Sequence, residues 1–119
     1  MKDFKSLKVW EKSHSFTLKV YKLSLIFPKD ELYGLTSQVR RSASSIPTNI
    51  AEGCGRGSDA DFARFLQMAF GSASETEYIL LLVKDLNYIS ENDYDNLFQD
   101  ITEIKKMLAT FIIKLKNNF

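Results

Sequence analysis

Histidine and cysteine are almost absent from the chain: His14 and Cys54 are the sole examples in 119 residues. One cysteine excludes an intramolecular disulfide and any zinc or iron-sulfur site built on paired thiolates. One histidine excludes the Glu-x-x-His di-iron bundle, the HExxH zinc site and every multi-histidine centre. No cofactor or metal is therefore expected. Proline is nearly as scarce, occurring at Pro28 and Pro47, and neither an Asn-Gly nor an Asp-Gly hairpin signal is present. The longest apolar run, Tyr78 to Val83, falls far short of the roughly 20 residues that cross a bilayer. The N-terminal stretch MKDFKSLKVWEK has no apolar signal-peptide core. No membrane partner and a cytoplasmic location are the expectation. A charge excess is lacking too, since 16 Lys+Arg against 15 Asp+Glu leave a net charge of +1, which removes the simplest argument for generic nucleic-acid binding.

What remains is helical periodicity. Four long segments carry apolar residues three and four positions apart, so the chain reads as all-α, with helices over about 6–26, 36–53, 59–87 and 91–117 in one four-helix domain. In the first, Leu7, Trp10, His14, Leu18, Tyr21 and Leu25 form the expected core face. In the second, Leu35, Val39, Ala43, Ile46 and Ile50 do so, with Pro47 depriving the carbonyl of residue 43 of its helical partner unless a side chain or water replaces it. Ser58 and Ser90 are the expected N-caps of the third and fourth helices, each followed by carboxylates in the first turn. The third helix should bury Phe62, Phe65, Leu66, Ala69, Ala73, Leu80 and Val83. The fourth keeps Tyr94, Leu97, Ile101, Ile104, Leu108, Phe111 and Leu115 in strict register. Short connections favour an antiparallel up-down-up-down bundle.

Two helices carry more apolar surface than one core needs. Val9, Phe16, Val20 and Leu23 lie on a second face of helix 1, and Met68, Ile79, Leu82 and Leu86 on a second face of helix 3. Apolar faces of that size left in water favour self-association. Val9, Phe16, Val20, Met68, Ile79, Leu82 and Leu86 are accordingly the candidate homo-oligomer interface.

Charge is unevenly distributed along the chain. Residues 1–57 hold 10 basic and 5 acidic side chains, residues 58–119 hold 6 and 10. Within the basic half, Lys5, Lys8, Lys12, Lys19 and Lys22 share one face of helix 1, and Arg56 sits in the glycine-rich GCGRGS loop. A cationic stripe of this kind suits a phosphate backbone, and an ordinary solvated helix face has the same appearance. The loop meets neither the Walker nor the dinucleotide fingerprint, because no strand precedes it and no Lys-Ser/Thr follows. A second polar set, Gln38, Arg41, Asn49, Glu52, Arg64 and Glu75, reads as a structural network in which Arg41 or Arg64 pairs with Glu75. Gly71, Ser72, Ala73 and Ser74 offer small side chains for close helix approach. No nucleophile, base and oxyanion donor can be assembled from these residues, so the chain is not expected to be an enzyme.

The segments LKVWEKS, FPKDELYGLTSQVRRSASSIPTNIAEGCGRGS and FARFLQMAFGSASETEYIL, with the closing heptads, closely resemble the bacterial four-helix-bundle proteins of the 23S ribosomal RNA intervening-sequence family. The Arg40-Arg41 pair, the Ser45-Ile46-Pro47 step, Asn49 to Gly53, and Gly71-Ser72 followed by Glu75 carry the resemblance. It implies an up-down bundle assembling into a homopentameric barrel. A related branch, the accessory variability determinant of diversity-generating retroelements, is strongly basic and thought to hold nucleic acid and a reverse transcriptase; this chain departs from it in charge. The function expected is a homo-oligomeric helical scaffold whose basic face contacts RNA or a nucleic-acid-handling partner. The alternative is a purely protein-binding adaptor without nucleic acid.

Overall fold

A computed structural model describes residues 3–117. Its long helices are α1 (Lys8–Leu23), α2 (Ser37–Cys54), α3 (Asp59–Asp85) and α4 (Glu91–Lys116), and no strand occurs among the described residues. Each helix packs on two neighbours, in the cyclic order α1, α2, α3, α4 and back to α1. Their apolar faces share one core, in which Phe16, Ile46, Ile50, Leu66, Ile79, Ile101, Ile104 and Leu108 are fully buried. Each such side chain contributes about 1.5–3 kcal/mol of hydrophobic stabilisation.

The helix ends follow the sequence closely. Ser58 Oγ accepts the Asp61 amide at 3.1 Å and Ser90 Oγ the Asp93 amide at 3.0 Å, so both expected caps form. Past the end of α3, Asn87 takes a left-handed φ of 64° while Tyr88 N–H bonds to Val83 O and Asn87 N–H to Lys84 O. That is a Schellman ending, with asparagine in the position where glycine is usual. Helix α1 stops three residues earlier than its periodicity suggests and continues as a 3-10 turn over Ser24–Ile26. Arg40 of α2 donates to Ser24 Oγ (2.8 Å) and to the Tyr21 carbonyl (3.3 Å), supplying partners that the end of α1 lacks.

The core face of α1 differs from the one its bulkiest residues mark. Val9, Ser13, Phe16, Thr17 and Val20 are buried, whereas His14, Leu18, Tyr21 and Leu25 are exposed. The hydroxyls explain the reversal. Ser13 Oγ donates to the Trp10 carbonyl (3.0 Å) and Thr17 Oγ1 lies 2.8 Å from the Ser13 carbonyl, so both side chains satisfy themselves on their own helix and pack as small apolar groups. Small residues at this face let α1 approach α2. There Thr17 Oγ1 also lies 3.2 Å from the Ala43 carbonyl, the acceptor that Pro47 cannot serve, so its one proton is shared in a three-centre bond whose shorter arm is to Ser13. A proline inside a helix is thus accommodated by a hydroxyl from the neighbouring helix.

Across α2 and α3 the approach is closer still. Thr76 Oγ1 lies 2.9 Å from Ser42 Oγ, and Ser45 Oγ lies 2.9 Å from Ser72 Oγ. A Cβ on Gly53 would stand 2.6 Å from Phe65 Cβ, a distance no side chain accommodates without movement. At the opposite end of the molecule, Glu31 joins two connections. Its carboxylate accepts the Leu35 amide (3.2 Å) and the Tyr88 hydroxyl (2.8 Å), and Tyr88 packs beside Phe27.

Two outcomes follow from these contacts. Thr17→Val removes the donor beside Pro47, and leaving the buried Ala43 carbonyl unpaired should cost about 1–3 kcal/mol in urea unfolding. The cost should shrink in a Pro47→Ala background, where a restored amide serves that carbonyl; an equal cost in both backgrounds would reject the pairing. Tyr88 is held above the ordinary tyrosine pKa, first by its hydrogen bond to Glu31, then by burial and the charges of Glu31 and Asp30. The folded state therefore keeps a proton that the unfolded state loses above about pH 10. Stability should fall with rising pH there, and Tyr88→Phe should flatten that alkaline decline.

Candidate nucleic-acid interface

The lysine stripe of α1 does not stand free in solvent along its length. It runs beside the acidic first half of α4, where residues 91–103 hold five carboxylates and no cation. Lys12 Nζ lies 3.6 Å from Asp100 and 3.4 Å from Glu103, and Lys19 Nζ lies 2.8 Å from Asp100. These two lysines are committed to a seam between helices. Lys22 and Lys19 border a groove of about 480 Å³ that also contains Asp93. Arg56 is taken by Glu52 at 3.0 Å and lies over the Phe65 ring at 4.7 Å. Of the six candidate cations, Lys5, Lys8 and Lys22 are exposed and form no ion pair among the described residues; Lys5 and Lys8 lie at the start of the chain, Lys5 next to the Phe4 ring.

Unpaired positive charge collects instead where the start of α1 meets the end of α4. Residues 3–12 and 105–117 together hold seven lysines against Asp3 and Glu11; Lys12 is held by Asp100 and Glu103 and Lys105 by Glu77 at 3.0 Å, which leaves Lys5, Lys8, Lys106, Lys114 and Lys116. Between them lies a groove of about 640 Å³ lined by Lys8, Lys106, Met107, Thr110, Phe111 and Lys114. Lys106 and Lys114 were not singled out from the sequence. Their signal was available: residues 105–117 contain four lysines and no acid.

The polar network takes a different form from the ionic one expected. Glu75 is exposed and, among the described residues, forms no ion pair; Arg41 is likewise exposed. Arg64 pairs with Asp61 at 3.6 Å within its own helix and lies over Phe65. Glu52 pairs with Arg56, and Gln38 is half-buried without bridging to Glu75. Asn49 Nδ2 donates to the Ser45 carbonyl and Ser45 Oγ, at 2.9 and 3.1 Å, and so joins the hydroxyl chain between α2 and α3. Glu75 escapes the burial that would have demanded a partner because its apolar neighbours turn outward with it: Met68 and Leu86 are exposed and Leu82 half-buried.

The candidate interface residues divide in the same way. Val9, Phe16, Val20 and Ile79 lie in the core of the single chain and are not available to a second copy. Val9, Phe16 and Val20 are buried because α1 turns its small hydroxyl face inward and carries them with it, and Ile79 lies on the inward face of α3. Met68, Leu82 and Leu86 stay outside. The apolar surface left open on α1 is Leu18, Tyr21 and Leu25, the face first assigned to the core. With Trp10, His14, Pro47 and Ala51, Leu18 and Tyr21 line a shallow groove between α1 and α2, where Trp10 and His14 stack at 4.9 Å.

Among the described residues, no group of three or more His, Cys, Asp or Glu side chains could hold a metal ion. Cys54 is buried at the end of α2 and borders a cavity of about 230 Å³ with Arg56, Phe62 and Phe111. No described helix is long and apolar enough to cross a membrane.

Comparison with known proteins places these features. No curated protein matches the chain. Among solved structures, a protein with unknown function from the S23 ribosomal protein family of Bacteroides thetaiotaomicron VPI-5482 is similar, with a TM-score of 0.79 and 34% identity over 87% of this chain and 97% of that one. Residues 5–110 match the family described as 23S rRNA-intervening sequence protein. Helices in cyclic order, the close α2/α3 seam and the match along nearly the whole chain agree: the chain belongs to the 23S rRNA-intervening sequence protein family.

Proposed function

We propose that the chain is a non-enzymatic scaffold, an antiparallel up-down-up-down bundle that assembles into a homo-oligomeric barrel in the cytoplasm and contacts RNA through its lysine-rich end. The observation that carries the RNA reading is the segregation of charge. Asp100 and Glu103 neutralise Lys12 and Lys19, while Lys8, Lys106 and Lys114 surround a groove without a carboxylate. A net charge near zero conceals this end, and repetition of it around a ring of copies would multiply the local field.

The bundle direction is supported by paired contacts whose residue numbers rise in one helix as they fall in the next: Ser42 with Thr76 and Ser45 with Ser72, or Thr17 with Ala43 and Ser24 with Arg40. Assembly is supported by two unlike apolar faces. Leu18 on α1 and Leu25 in the 3-10 turn that follows it are 57% and 75% exposed, and Met68 on α3 is 46% exposed. Contact between unlike faces is head-to-tail, which gives a ring rather than a two-fold dimer where the rotation between copies closes, and five copies is the number the family resemblance implies. The protein-binding adaptor is favoured by a different feature, the tip where Leu32 and the 94%-exposed Tyr33 project.

Both parts are testable. Leu18→Asp with Leu25→Asp should reduce the sedimenting species to a monomer while leaving helical content intact, since neither side chain is in the core; an unchanged mass would remove α1 from the interface. Anisotropy of a labelled structured RNA across a salt series should show binding that weakens steeply with salt. Lys8→Gln/Lys106→Gln/Lys114→Gln should abolish it, whereas Asp100→Asn, by releasing Lys12 and Lys19, should tighten it several-fold at a stability cost below about 1 kcal/mol. No binding at low salt would leave the adaptor reading.

A further inference from the structure

We propose that the groove between the start of α1 and the end of α4 takes an unpaired base of single-stranded RNA, with Phe111 as its stacking platform and Lys8, Lys106 and Lys114 on the flanking phosphates. The inference rests on the RNA reading above and specifies the form of RNA and the atoms that hold it. Lys106, Thr110 and Lys114 recur at four-residue intervals on α4, covering about 12 Å of helix length, and Met107 and Phe111 lie on the same lining between them. Phe111 is half-buried, and its ring is fixed by an edge contact with Phe62 at 5.2 Å. A platform held in this way loses little freedom when a base lands on it.

A flat cationic surface would suffice for a duplex, whose bases are already stacked and whose backbone asks only for positive charge. The lining here is different, since Met107 and Phe111 give it an apolar floor and none of it is acidic. Ammonium groups around an aromatic floor match a nucleotide with its base turned out, phosphate to lysine and ring to ring. The groove at the far end of α1 supplies the contrast. It too has two lysines, Lys19 and Lys22, but Asp93 shares its lining and no aromatic ring does.

The test uses the intact protein and a short single-stranded RNA carrying 2-aminopurine, the same strand with an abasic site at that position, and its duplex. Wild type should bind the single strand more tightly than the duplex and change the 2-aminopurine fluorescence. The abasic strand should bind roughly 5- to 100-fold more weakly, the size of one base-aromatic stack. Phe111→Leu should lose the fluorescence change, and Lys114→Gln should lower the log-log salt slope by about 0.7, one single-strand phosphate contact. Because Phe111 also touches Phe62, Thr110→Glu provides a second variant: its side chain is exposed, and a carboxylate in the groove should weaken the single strand as the lysine substitution does. Equal affinity for single strand, duplex and abasic strand would overturn the stacking site while leaving a phosphate-binding end. Absence of binding to all three at low salt would overturn the RNA reading with it.

Discussion

Helix α2 sits between α1 and α3, and how closely it can approach both determines the rest of the molecule. Its inward residues Val39, Ala43, Ile46 and Ile50 are fully buried, yet its flanks carry hydroxyls where an ordinary core would carry methyl groups. Ser42 and Ser45 meet Thr76 and Ser72 within 2.9 Å, and Gly53 leaves no space for a Cβ beside Phe65. Side chains this small bring backbones together, and the buried hydroxyls escape a desolvation penalty because each has a partner. Pro47 fits the same arrangement. It removes an amide from the helix at the point where Thr17 of α1 is near enough to serve the stranded Ala43 carbonyl.

The orientation of α1 follows from that contact. To place Thr17 against α2, the helix must turn Ser13, Phe16 and Val20 inward, which leaves Leu18, Tyr21 and Leu25 in solvent. The same rotation lays Lys12 and Lys19 against the acidic half of α4. One hydroxyl-to-carbonyl contact thereby selects which apolar stripe is left for other molecules and which cations are neutralised. The surface that remains exposed is a residue of core packing.

Helices α3 and α4 were legible in the sequence because pattern and punctuation agree in them: a serine cap, carboxylates in the first turn, and apolar residues on one face. Asn87 completes α3 with a left-handed turn that asparagine tolerates. Helix α1 misled for a definite reason. Hydropathy counts Ser13 and Thr17 as polar, although each returns its hydroxyl to its own backbone and packs as a small apolar group. The lysine spacing was also legible, but its meaning depended on Asp100 and Glu103, more than 80 residues away along the chain and adjacent only after folding. Glu75 shows the converse: a pairing with Arg41 or Arg64 was expected of it, yet it stands exposed on the side of α3 where Met68 is also exposed.

Helix α4 orders its charges along its length. Its first half is acidic and its second half basic, with five carboxylates in residues 91–103 and four lysines in residues 105–116. That order suits the helix macrodipole, which favours anions at the N-terminus and cations at the C-terminus. It also attaches α1 to the acidic half by ion pairs, while in the basic half Lys105 pairs with Glu77 at 3.0 Å and Lys106 and Lys114 border a groove without a carboxylate. A stripe of lysines balanced along its whole length would hold α1 in place and present nothing to a polyanion. Separating the two halves on one helix lets the same element do both: the carboxylates near Asp100 hold the bundle, and the lysines two turns further on create a local field that a net charge of +1 does not predict. Because Phe111 and Met107 stand among those lysines, the field surrounds an apolar floor, and a ligand satisfying both must carry negative charge and a flat apolar ring.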